Sequence, residues 1–171
     1  MCIRDSAYLP VQDFGNAYST FVAQNFGAGE QERIRRGTKT AFVMSGIFSL
    51  IISAAVFIFA APLMRIFIAA SETQVIAAGV HYLRIEGAFY IGIGFLFLLY
   101  GYFRAIKRAG MSVVLTVISL GARVLLAYAL SSISSIGVTG IWAAIPIGWF
   151  LADVTGLIYM KFLSSNAGTG V

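Results

Sequence analysis

An all-α integral membrane protein, built as a bundle of five transmembrane helices, is what this sequence predicts, on three observations. Of its 171 residues, 59% are hydrophobic and 11% charged, against roughly 45–50% and 25% in an average soluble domain. The apolar residues form continuous runs, and a bilayer's hydrocarbon core needs about 20 of them per helix. Positive charge collects in alternate connections between the runs. The same composition excludes a disordered chain, which lacks such apolar content. A disulfide framework is excluded because Cys2 is the single cysteine. Membrane β-strands alternate apolar and polar residues over about 9–11 positions; these runs do not alternate.

The helical membrane domain spans 7–163, with segments at about 7–28, 40–64, 82–103, 111–133 and 138–163. Residues 1–6 are polar and lead into no signal-peptide pattern, so they are expected to be non-native or disordered; 164–171 are small and polar, a disordered tail. In the first segment Gly15, Ser19, Ala23 and Gly27 recur every fourth residue. That spacing makes a smooth stripe for close approach of another helix, or a substrate-facing surface. Gly29 is placed to cap the helix in the left-handed conformation, with Arg33, Arg35 and Arg36 beyond it opposing the helix dipole. Glu32 and Arg36 can pair if a surface helix follows.

The second segment lies between Lys39 and Arg65 without a charge. The third carries Gly87, Gly92, Gly94 and Gly101, with Ala88 and Gly92 one turn apart. These residues serve either packing or the local unwinding seen in broken transporter helices. Its aromatics, Tyr90 among them, meet lipid or other helices, or line a cation pathway. In the fifth, Pro146 is expected to introduce a kink by freeing the Trp142 carbonyl.

Connection charge sets the orientation. Arg33, Arg35, Arg36, Lys39, Arg104, Lys107, Arg108 and Lys161 fall on one side, and Arg65 and Arg84 on the other, joined by Arg4 if it is native. Positive charge near span ends marks the cytoplasmic side, so a plasma-membrane protein with a cytoplasmic C-terminus is predicted. The net charge of +5 then has anionic lipid as its counter-charge. Membrane lipids, not nucleic acid, are the expected partners.

An enzyme is not expected, since no nucleophile–base pair or phosphate loop is present. One histidine, His81, at an outer boundary, and one terminal cysteine make a metal site improbable. No cofactor is predicted. Apart from Arg84 and Lys161 close to segment ends, four charged residues lie within the segments. Arg123 and Asp153 are roughly 18 Å and 15 Å from the cytoplasmic ends of neighbouring helices, depths that predict an intramembrane ion pair, structural or gating. Asp13 and Glu86 lie roughly 21 Å and 25 Å from theirs, both in the outer half. They are the candidates for ion coupling, because carboxylates at such depth tend to face cavities; the alternative is neutralisation of Glu86 by Arg84 or water, with Asp13 bonded to backbone.

The run Gln24-Asn25-Phe26-Gly27-Ala28-Gly29, preceded by Ala17-Tyr18-Ser19-Thr20-Phe21, resembles the eighth helix of the multidrug and toxic compound extrusion (MATE) transporters. Tyr100-Gly101-Tyr102-Phe103-Arg104-Ala105 is similar to the end of that family's tenth helix. Met111 to Val114 and Gly121 to Tyr128 resemble the eleventh, and Gly140 to Trp142 with Gly148 to Asp153 the twelfth. The resemblance covers about Ala7 to Phe162. It implies helices eight to twelve of a twelve-helix protein, most of a C-terminal lobe, whose partner is the N-terminal lobe of the same transporter. It further implies export of small organic cations in exchange for sodium ions or protons. Gln24, Asn25 and Tyr90 are the substrate-pathway candidates. Some members carry an aspartate within the tenth helix, but 87–103 holds no acid here, so that site does not transfer. A lipid-linked saccharide flippase of related fold and a structural membrane subunit are the alternatives.

Overall fold

The computed structural model describes residues 3–167, with side chains described for 9–163. Six helices follow in order: α1 (Ile3–Gly27), α2 (Gln31–Phe67), α3 (Thr73–Ala88), α4 (Tyr90–Ala105), α5 (Ala109–Ser131) and α6 (Val138–Ala167). Among the described residues there is no strand. The protein is all-α, and α3 and α4 follow one another across a bend of 49°.

That bend corrects the third segment, which the hydropathy pattern places at 82–103 as one helix. Helix begins at Thr73, and it breaks at Phe89, whose φ of −111° and ψ of 22° leave the helical region. The Phe89 N–H turns back to the Glu86 carbonyl, three residues away, and the Gly92 N–H to that of Phe89. The tighter bonding marks a break, and weak helix formers at Gly87, Gly92 and Gly94 lower its free-energy cost. A second correction concerns 29–39. It is not a loop: α2 starts at Gln31 and runs 37 residues, carrying its basic residues on helix that projects beyond the span. Glu32 there accepts from Arg36 at 2.7 Å and from Arg35 at 2.8 and 2.9 Å. At the ends, Ile3 to Ser6 belong to α1 and α6 continues to Ala167, whereas Met1, Cys2 and Gly168 to Val171 lie outside the described residues.

α4 is the axis. It packs against α1, α2, α5 and α6, while α3 packs on α2 and α6, and α5 with α6 forms the most extensive pairing. Leu96, Leu98, Leu99 and Phe103 of α4 are at most 2% exposed. One side of α4 joins Tyr18 and Val22 of α1 and Ile34 of α2; the other joins Leu115 of α5 and Trp149 and Ala152 of α6. Gly15 lies beside Phe97, and the Ser19 hydroxyl donates to the Gly101 carbonyl at 3.0 Å, so α1 and α4 run parallel. A Cβ on Gly101 would stand 2.7 Å from the Gly15 carbonyl oxygen. The first half of the small-residue stripe is therefore a helix–helix contact, whereas Ala23 and Gly27 are exposed.

Two helix ends share one capping geometry. After α1, the Glu30 N–H bonds the Asn25 carbonyl and the Gly29 N–H that of Phe26, with Gly29 at φ +76°. After α4, Arg108 bonds Phe103 and Lys107 bonds Arg104, with Lys107 at φ +61°. Both are Schellman ends. Glycine takes the left-handed position in one and lysine in the other.

Candidate functional site

α1 has two faces. Val11, Gly15, Tyr18, Val22 and Asn25 are buried, at the spacing of a helix stripe. The open face presents Asp13, Asn16, Ala17, Thr20 and Gln24, all exposed. This polar stripe keeps α1 out of the helices that are apolar enough to cross a membrane by composition, namely α2, α5, α6 and the α3–α4 pair. Packing against α2 and α4 nonetheless holds it in the same bundle layer.

Beside that face runs a groove of about 250 Å³, lined by Gln12, Asn16, Phe97, Tyr100, Arg104, Ser112, Val113 and Thr116. Arg104 donates to Asn16 Oδ1 at 3.2 Å and to the Tyr100 carbonyl at 3.3 Å. Thr116 Oγ1 lies 3.3 Å from the Tyr100 hydroxyl. Deeper in the bundle, Tyr100 is within electrostatic range of both Arg123 and Asp153. Arg123 donates to Ser119 Oγ at 3.1 Å, and its guanidinium carbon lies 5.4 Å from the centre of the Trp149 ring. Gly148 lets it pass: a Cβ there would stand 2.8 Å from Arg123 Cγ. Asp153, one turn beyond Trp149, is 6% exposed, and its Oδ1 has no hydrogen-bond partner. Its Oδ2 faces Gly92 of α4.

The structure thus gathers Arg123 and Asp153 around Trp149. Asp13 and Glu86 take different settings: Asp13 is exposed on α1, and Glu86 is 1% exposed at the end of α3, beside the break. Gln24 belongs to the open face. Asn25 turns inward, its amide donating to the Phe21 carbonyl at 2.8 Å, and Tyr90 sits in the core with Leu96 and Trp149. The His81 ring lies tilted against Trp142, with 5.6 Å between ring centres. Among the described residues no three His, Cys, Asp or Glu side chains group as metal ligands. The reading of the sequence missed the groove. Its signal was Gln12, Asn16 and Thr20 recurring with Asp13 and Gln24 at helical spacing.

Fold and site together define an all-α integral membrane protein with a polar face along one helix and a broken helix beside it. The chain belongs to the MatE family, whose model matches residues 3–129. Among curated proteins no match is found. Among solved structures it is similar to an inward-facing multidrug resistance MATE family transporter of the MOP superfamily, with TM-score 0.87 and 21% identity over 96% of this chain and 38% of that one. An outward-facing transporter of the same description gives 0.81 and 19% over 94% and 38%. A MATE in complex with MaL6 gives the same values as the latter. The chain spans little more than a third of the length of these transporters.

Proposed function

We propose that the chain forms most of the C-terminal lobe of a plasma-membrane secondary transporter, C-terminus cytoplasmic, that exports small organic cations in exchange for sodium ions or protons. The observation that carries this reading is the open face of α1. Asp13, Asn16, Thr20 and Gln24 are exposed on a helix packed against α2 and α4, and within a membrane such groups face a water-filled cavity rather than lipid. The N-terminal lobe of the same polypeptide would form the other wall. Membrane lipids cover the remaining surface. Asp13 on that face favours a cationic substrate, and Arg104, which donates to Asn16 at 3.2 Å, stands at the end of the groove beside it. Asp13 is the coupling acid in this reading, and Glu86 the second candidate.

The test is made on the full-length transporter in proteoliposomes. Asp13→Asn is expected to abolish ion-driven export of an organic cation such as ethidium while leaving the protein folded. Undiminished export across external pH and sodium removes Asp13 from the mechanism. Single cysteines at Thr20 and Val117, in a cysteine-free background, are expected to differ: a water-soluble maleimide reaches the first only. Equal protection of both sinks the aqueous face.

A further inference from the structure

We propose that Asp153 is a proton-binding site inside the bundle, where a proton and the Arg123 guanidinium are alternative partners of one carboxylate. The inference goes beyond the transport reading, which uses acids on α1 and α3. It starts from an unsatisfied group. A buried ionised carboxylate needs charge or hydrogen-bond partners, yet Asp153 Oδ1, in a side chain nine-tenths buried, has none. In this arrangement the carboxyl is held neutral by a proton. Arg123 donates to Ser119 Oγ, and its guanidinium carbon lies 5.4 Å from the centre of the Trp149 ring.

The second arrangement is one helical turn away. Trp149 and Asp153 are four residues apart on α6, a rise of about 6 Å, and the arginine side chain is long and flexible enough to exchange one for the other. Loss of the proton from Asp153 favours the move to the carboxylate; protonation returns the guanidinium to the indole. On α4 the titratable Tyr100 stands near this pair, its hydroxyl in contact with Thr116. Arg108 and His81 meet α6 elsewhere: Arg108 donates to the Tyr159 hydroxyl and the His81 ring lies tilted against Trp142. Glu86 stands on α3, beside the break.

Difference infrared spectroscopy on the purified full-length transporter tests this without a transport assay. A carboxyl C=O band that changes with pH is expected, absent in Asp153→Asn. Arg123→Gln removes the competing partner, so proton affinity should rise about tenfold or more, one pH unit in the midpoint. Arg123→Met gives the same shift if the guanidinium, not its packing, is the competitor. The absence of any band dependent on Asp153, or a midpoint unmoved by both Arg123 variants, overturns the proposal. Failure of the transport reading registers separately, as loss of cation export with this band intact.

Discussion

α1 and α5 both turn a broad face away from the bundle, and the two faces differ in kind. On α5 the exposed positions are Val113, Val114, Val117, Leu120, Val124 and Leu125; on α1 they include Asp13, Asn16, Thr20 and Gln24. Both are equally uncovered by protein. Lipid suits the first, and water the second, because an unpaired polar group in hydrocarbon costs several kcal/mol. Exposure alone therefore does not identify the outside of a membrane bundle. Side-chain chemistry on the exposed face tells lipid from cavity.

The largest expected effect comes from placing one charge on each face at matched depth. Leu120 lies eleven residues into α5 and Ala17 ten residues from the end of α1, roughly 17 Å and 15 Å along their helices. Leu120→Arg should destabilise insertion by about 2.5–3.5 kcal/mol, whereas Ala17→Arg should insert almost unchanged. Insertion efficiency by glycosylation mapping measures both, and equal penalties would erase the distinction between the faces.

The covered face of α1 supplies the next test. Gly101→Leu drives a side chain toward the Gly15 carbonyl, 2.7 Å from the new Cβ. Overpacking of this kind costs about 1–3 kcal/mol, read as a lower melting temperature in detergent. Substitution of exposed Gly27 by alanine, with nothing within 4 Å of its Cβ, should change little.

A smaller effect separates the two capped ends. Lys107→Gly relieves a left-handed lysine and should stabilise by about 1 kcal/mol, while Gly29→Ala should destabilise by a similar amount. The smallest belongs to Glu32, which lies beyond the membrane. Hydrogen bonds from Arg35 and Arg36 hold its carboxyl down, to about 2 from the usual 4.5. A lowered folded-state value means the contribution is complete above pH 4.5 and lost as pH falls toward 2. The group is fully exposed, so salt should screen the effect. Thermal melts at low and high salt across that pH range check it.

Fold class, helix order and the Gly29 cap were legible because each has a local signal: run length, a charged connection, a glycine after a helix. The Glu32–Arg36 pair was legible for the same reason. The break at Phe89 was not, since a hydropathy window averages across a bend and Phe89 is itself apolar. The groove was not, because it is assembled from α1, α4 and α5, whose relation in space no single segment encodes. Arg123 and Asp153 were found by depth alone. That the Arg123 guanidinium lies over Trp149, and that Gly148 and Gly92 leave room for Arg123 and Asp153, depends on how α4, α5 and α6 cross.

α4 stands among four neighbours, and the ribosome makes those neighbours at different times. When α4 is complete, α1 and α2 already exist, so Leu98 can settle against Tyr18, Val22 and Ile34. Its other flank, with Tyr90, Leu99 and Phe103, has no counterpart until Leu115, Trp149 and Ala152 are synthesised. For that interval the most deeply buried helix of the finished bundle rests half against lipid. Assembly is then a matter of timing: α5 and α6, the pair with the most extensive mutual contact, are made last and complete the bundle.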